Sequence, residues 1–239
     1  MIQRCRLPRV LAFDVFGTVA DWHGSVVAEL AERAPAIDGD AFARDWRAGY
    51  KPAMARVARG EWPWQPIDAL HRRLLEPLLD QYGLTAWSED ERADFNRVWH
   101  RLAAWPDAPP AIARLREHVI CVTLSNGNVS LLVDQARRAG LQWDTVLSAE
   151  LFGHFKPHPA NYLGVAELFG CAPAEVCMVA THQSDLDAAR SHGLQTAYIE
   201  RRDEFGRNAP KQASPPDMND WHARDLGDLA DQFADSAQH

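Results

Sequence analysis

Five short apolar runs, each ending on or leading straight into polar residues, constrain the fold of this chain more than any other feature. Residues 10–14 read VLAFD, with the turn-former Gly17 close behind, and the pattern returns at 119–126 (VICVTLSN), 145–148 (TVLS), 175–180 (EVCMVA) and 196–199 (TAYI). Runs of this kind suit strands buried on both faces, which deliver a polar group at their carboxyl ends. Helical periodicity fills the intervals at 108–117, 128–139, 158–169 and 185–193. Strands alternating with such helices specify an α/β fold, a Rossmann-like core with a parallel sheet and right-handed crossovers.

Between the first strand and the second lie about 100 residues, far more than one crossover helix requires. Asp38 is placed to cap a helix running through Trp46 and Met54, Pro66 to open another through Leu79, and Ser88 to start a third with Glu91 in capping-box position. Residues 21–104 therefore read as an inserted helical subdomain, with 1–20 and 105–239 forming the core domain. Seven of the nine tryptophans (Trp22, Trp46, Trp62, Trp64, Trp87, Trp99 and Trp105) fall in the insertion or at its edges. A small helical unit has little interior, and large rings supply burial at few positions. Those nearest Arg47 are also candidates for lining a crevice. The stretch 203–220 is rich in Pro, Asn, Asp and Ser and reads as a solvated connector before a last helix near 225–234.

Composition removes several classes of function. With 33 acidic against 25 basic residues and a formal charge of −8, the chain lacks the dense basic face that nucleic acid or an anionic membrane requires. No apolar run approaches the ~18 residues that span a bilayer. The N-terminal MIQRCRLPRVLAF has neither the apolar core nor the cleavage site of a secretory signal, so a cytoplasmic protein is expected. Cys5, Cys121, Cys171 and Cys177 show no CxxC spacing and read as buried free thiols rather than disulfides or zinc ligands.

In open α/β sheets the ligand crevice lies at the carboxyl ends of the strands. The polar residues there are Asp14, Ser125 with Asn126, Lys156, and the loop from Thr181 to Asp185. In order and spacing, Asp14-Val15-Phe16-Gly17-Thr18, Ser125-Asn126-Gly127, Lys156-Pro157 and Thr181-His182-Gln183-Ser184-Asp185 resemble the motifs of the haloacid dehalogenase superfamily across nearly the whole chain. Most of that superfamily are phosphatases, with a second Asp two residues after the nucleophile and a carboxylate opening the last motif to hold Mg²⁺. Here Phe16 and Thr181 stand at those positions. Both departures are those of the hydrolytic (S)-2-haloacid dehalogenases, in which a carboxylate displaces halide from C2 and water hydrolyses the resulting ester. Halide needs no proton to leave, and a monoanionic substrate can be held by a cation in place of a metal.

The resemblance thus implies a metal-independent enzyme without cofactor, acting on a small halogenated carboxylate and often dimeric. Asp14 would be the nucleophile, kept ionised by Lys156 and positioned by Thr18 and Ser125. Arg47, in Trp46-Arg47 followed by Tyr50, would anchor halide or substrate carboxylate, unless it is a surface arginine lying past Trp46. Asn126 and the backbone amides of Val15 and Phe16 would share that anion, with Phe16 as an apolar wall. Tyr162 falls at the dehalogenase distance from Lys156, and Asp185 would orient water or stabilise Lys156. The dehalogenase last motif resembles Ser-Asn-Ala-Trp-Asp, so His182 replaces an Asn and Ser184 a Trp. His182 can be read two ways, as a neutral base for water or as a substitute for the amide's hydrogen bond. Lys51 suggests Schiff-base chemistry or, more simply, an added attraction for an anion. A phosphatase and a catalytically silent binding protein are the competing readings.

Overall fold

The computed structural model describes residues 7–237, so the reading of Cys5 lies outside the described residues. Each apolar run forms a strand: β1 (Val10–Phe13), β4 (Ile120–Ser125), β5 (Thr145–Ser148), β6 (Val176–Ala180) and β7 (Gln195–Ile199), numbered to leave room for the short β2 (Ala20–Asp21) and β3 (Ala103–Ala104). A further edge strand, β8 (Trp221–Ala223), completes a parallel sheet of order β5-β4-β1-β6-β7-β8. The sequence reading runs from a loop straight to a helix there, because three residues carry no legible alternation. β1 is central, and Phe13, its last residue, pairs with Thr123 on one side and Val179 on the other, while β4 runs on to Ser125 and β6 to Ala180. The chain leaves β1 toward β4 and β5, then returns past it to β6. That reversal of direction is where such sheets bind ligands.

Alternate β1 residues serve opposite faces. Leu11 and Phe13 pack with α6 (Ala108–Leu115) and α11 (Leu226–Ala237), through Ile112, Leu115, Leu229 and Phe233. Val10 and Ala12 pack with α9 (Pro159–Phe169) and α10 (Gln183–Ser191), through Tyr162, Val165, Leu186 and Ala189. Two further helices, α7 (Val129–Ala139) and α8 (Ala149–Phe152), follow β4 and β5. Cys121 and Cys177 are buried thiols, while Cys171 is only half-buried.

The long insertion holds α1 (Trp22–Arg33), α2 (Gly39–Ala48), α3 (Tyr50–Ala58), α4 (Ile67–Gln81) and α5 (Glu89–Asn96), with a 3-10 turn at Arg97–His100. Antiparallel pairing of Ala20 with Ala104 and Asp21 with Ala103 brings its two ends together. Asp38 caps α2 by accepting from Ala41 N, Pro66 precedes α4, and Ser88 with Glu91 closes a reciprocal capping box. The helix expected from Asp38 through Met54 is two helices, because Gly49, a weak helix former, lets the chain turn where the periodicity runs on. Trp22, Trp46 and Trp99 are fully buried in this unit. Each ring contributes roughly 4–6 kcal/mol of apolar burial before ordering costs.

Candidate active site

Asp14 follows β1 directly and is 7 % exposed. Its backbone N–H donates to Val179 O, which fixes it at the sheet edge. Thr18 Oγ1 donates to Asp14 Oδ2 at 2.8 Å and itself accepts from Thr181 N at 2.9 Å, binding the loop after β1 to the loop after β6. Lys156 Nζ donates to Asp14 Oδ1 at 3.1 Å and to Asp185 Oδ2 at 2.5 Å, and the Tyr162 hydroxyl donates to Asp185 Oδ1 at 2.6 Å. Burial alone would raise the Asp14 carboxyl, but Lys156 and His182, with help from Thr18, hold it far below the usual carboxylate range. Burial would likewise lower Lys156, and its two carboxylates reverse that and raise it. Burial and Asp185 drive the Tyr162 phenol far upward, so it remains a donor.

The other side of Asp14 holds residues the sequence reading left in a solvated connector. His182 Nδ1 lies 3.1 Å from Asp14 Oδ2, and its Nε2 lies 2.7 Å from Glu204 Oε1. Glu204 is 0 % exposed, and its other oxygen accepts from Lys211 Nζ at 2.7 Å. Ionised carboxylates only accept, so a ring between two of them is placed to donate through both nitrogens, as an imidazolium does. Burial favours the neutral ring, but Glu204 and Asp14 outweigh it and shift His182 upward. Burial would also raise Glu204, yet His182 and Lys211 bring it down to about 2. A neutral His182 would turn its one lone pair toward a carboxylate oxygen, leaving none for water, and of the two readings the hydrogen-bonding one fits the geometry. Arg201, also missed, donates from Nε to Thr18 O at 2.9 Å and from both terminal nitrogens to Asp107, which ties the end of β7 to the Asp14 loop. Nothing local in 203–220 announces a buried glutamate; the only signal was an acid and a lysine within a polar stretch.

Above Asp14 opens a cleft of about 530 Å³, lined from the insertion by Arg47, Tyr50, Lys51 and Met54 and from the core by Phe16, Asn126, Phe155, His182, Ser184 and Asp185. The Arg47 guanidinium stacks on Tyr50 with its carbon 4.2 Å from the ring centre, and 5.5 Å from that of Trp22. Its Nη1 is buried without a hydrogen-bond partner. A desolvated guanidinium nitrogen without an acceptor is a strong attractor for an anion. Asn126 accepts from Lys156 N at 2.7 Å and points its amide nitrogen at Met54 Sδ, 3.2 Å away, a weak acceptor that an incoming anion would outcompete.

Two expectations are corrected by this geometry. Ser125 is fully buried and its hydroxyl accepts from Gly127 N at 3.0 Å, so it shapes the turn after β4 instead of touching Asp14. The Val15 side chain sits in the core cluster while Phe16 lines the cleft, which leaves the expectation for the Val15 and Phe16 backbone amides as it stands. Among the described residues no tryptophan lines the cleft; Trp22, Trp46 and Trp99 pack behind Phe16 and Arg47 because their area is consumed in the helical interior. The donor set also fits Mg²⁺ poorly. Asp14 and Asp185 share the Lys156 ammonium, and Lys211 Nζ holds Thr181 O and Oγ1 at 2.5 and 2.8 Å, placing cations where oxygen ligands would have to turn to a metal.

Comparison with known proteins places this geometry. The haloacid dehalogenase-like hydrolase family matches residues 8–193. An (S)-2-haloacid dehalogenase of Xanthobacter autotrophicus is 31% identical over 198 residues, covering 81% of this chain and 75% of the relative. Among solved structures, a defluorinating L-2-haloacid dehalogenase superposes with a TM-score of 0.91 at 37% identity, covering 96% of both chains. A second L-2-haloacid dehalogenase gives 0.89 at 41% identity, covering 95% of this chain and 100% of the other. With its motifs assembled on the sheet edge as described, the chain belongs to the haloacid dehalogenase-like hydrolase family.

Proposed function

We propose that the protein is a hydrolytic dehalogenase of short (S)-2-haloalkanoic acids, forming 2-hydroxy acids through an ester on Asp14 without a metal. The observation that carries this reading is a carboxylate held ionised at the floor of a largely apolar cleft, facing a guanidinium with a buried, unpartnered nitrogen. Arg47 and Asn126 take the substrate carboxylate or the departing halide. Asp14 attacks C2 in line, and Phe16 occupies the place of an acid that a halide does not require. A carboxylate gains reactivity when fixed against its electrophile and stripped of water. Lys156 offsets the Asp14 charge until attack, and Tyr162 with Asp185 fixes the ammonium and the hydrolytic water. Residues 21–104 serve as a cap that closes the cleft over the core of residues 1–20 and 105–239. A cytoplasmic location and a homodimer belong to the same proposal.

The named relatives support a dehalogenase over a phosphatase, and the cations at Asp14, Asp185 and Thr181 argue the same way. The test is halide release from (S)-2-chloropropionate, chloroacetate and fluoroacetate with a chelator present, beside p-nitrophenyl phosphate with Mg²⁺. The expected result is chelator-insensitive halide release that Asp14→Asn abolishes. Mg²⁺-dependent phosphate release with no halide overturns the reading.

A further inference from the structure

We propose that Glu204 is a positioning residue that holds His182 as a two-proton donor on Asp14 Oδ2, making His182 and Thr18 the pair that receives the oxyanion when the aspartyl ester is hydrolysed. This rests on the dehalogenase reading above and extends it to the second half-reaction.

The two oxygens of Asp14 are not equivalent. Oδ2 takes Thr18 at 2.8 Å and His182 at 3.1 Å, whereas Oδ1 takes Lys156 alone at 3.1 Å. Oδ1 therefore keeps a lone pair for C2. It forms the O–C2 bond as the carbon–halogen pair leaves with halide, and Oδ2 becomes the carbonyl oxygen of the ester. Water then adds to Cγ, the carbonyl π pair moves onto Oδ2, and one water proton passes to the Asp185 carboxylate. On collapse Oδ2 returns the pair, the Cγ–Oδ1 bond breaks and the departing alkoxide takes that proton. The second water proton is released as Asp14 re-ionises. Charge develops on Oδ2, and fixed donors aimed at developing charge are worth most in a site with little water.

His182 can fill that role only while both ring nitrogens carry protons. With one proton, a lone pair would face either Asp14 or Glu204. Glu204 prevents this, and it is fixed on several sides. It is fully buried, its Oε1 meets His182 Nε2 at 2.7 Å and the Trp22 indole at 3.4 Å, and its Oε2 meets Lys211. Gly17 makes the space: a Cβ there would come within 2.4 Å of Glu204 Oε1. Asp14 after β1 and Glu204 after β7 act on His182 directly, and the charged groups next to them are Lys211 after β7, Lys156 before α9 and Asp185 in α10, with Lys51 of α3 lining the cleft.

Rapid-quench kinetics of Glu204→Gln with (S)-2-chloropropionate, over a range of pH, separates the two half-reactions. Ester hydrolysis should slow by about 10- to 100-fold, a loss on the scale of one weakened oxyanion donor, and by more than halide release does. Halide then appears as a burst near one equivalent per site while the Asp14 ester accumulates. The variant's kcat should fall at lower pH than the wild type's, because His182 without the Glu204 carboxylate gives up its proton sooner. The double variant with His182→Asn should be no slower than His182→Asn alone. Equal slowing of both half-reactions, or an unchanged pH profile, overturns the proposal. If Glu204→Gln does not fold, ¹⁵N NMR of the wild-type imidazole against pH decides: two ring protons are expected to persist to higher pH than in a free imidazole, and loss of one at the ordinary imidazole pH or below overturns it. A wild type that releases no halide refutes the dehalogenase reading, and the ring spectrum still judges the His182–Glu204 coupling separately.

Discussion

Asp14 stands between two chains of alternating charge that differ in how each keeps its cation. On one side Lys156 bridges Asp14 and Asp185, with the Tyr162 hydroxyl at the end; on the other His182 bridges Asp14 and Glu204, with Lys211 at the end. An ammonium ordinarily titrates near 10.4, so Lys156 is charged at neutral pH by its own chemistry, and its surroundings only reinforce that. An imidazole ordinarily titrates near 6.5, so the charge on His182 is conditional on its neighbours. The first chain is built from residues before, in and after helices packed on the sheet, and the second borrows its essential carboxylate from a loop. One side of the nucleophile is thus intrinsically cationic, and the other is cationic only while the loop is in place.

The largest expected effect breaks the first chain. Lys156→Met leaves Asp14 and Asp185 buried without their shared cation, and removing one partner of a buried pair typically costs about 3–5 kcal/mol. Halide release should fall by roughly 10³-fold, the scale of losing a residue that acts as part of a catalytic unit, and the urea midpoint should drop. If Lys156→Met retained more activity than His182→Asn, the ranking of the two sides would be reversed.

Gly17→Ala strikes the second chain and spares the first. Gly17 has φ of +89°, and an added Cβ would collide with the Glu204 carboxylate. The conformation costs about 1–3 kcal/mol for an L side chain, and the collision displaces Glu204 from His182. Slowed ester hydrolysis with near-normal halide burst is expected, by about 10-fold on the scale of one misplaced donor. A variant that loses stability but keeps the wild-type ratio of the two half-reactions would show that the loop can yield without releasing His182.

The same contrast explains what was legible in the sequence. The parallel sheet, the helical insertion and the meeting of Asp14, Lys156 and Asp185 could be read because apolar runs fix strands, and strand ends fix which polar residues meet, whereas Thr18 and Tyr162 stood out only through the resemblance of the motifs. Asp14 and Lys156 are far apart in sequence, yet both follow from that rule. Glu204 does not. A glutamate is almost never fully buried unless paired, and its partners His182 and Lys211 are brought to it by tertiary packing that leaves no period in the chain. Polar composition made 203–220 resemble solvent-facing chain, when part of it supplies the buried charges behind His182. The tryptophans misled in the opposite direction, since composition locates aromatic rings in the insertion and does not say which face they serve.

The smallest expected effect decides which chain sets the alkaline limit. Tyr162→Phe removes a hydroxyl that donates to Asp185 at 2.6 Å. A hydrogen bond to a charged group contributes about 1.5–3 kcal/mol when nothing replaces it. Asp185 lines the cleft, however, so water can take the vacated position and the loss should be only about 3- to 10-fold in kcat. Burial and Asp185 hold the Tyr162 phenol far above its ordinary value, so it keeps its proton throughout any practical assay range. Lys156 is raised as well. Of the groups on Asp14 that leaves His182, whose raised pKa means that its contribution is complete at low pH and lost as pH climbs through the shifted value. Tyr162→Phe should therefore lower kcat at every pH without moving the alkaline limb. A limb that shifted in this variant would assign the titration to the Lys156 chain, and the division between an intrinsic and a conditional cation would fail.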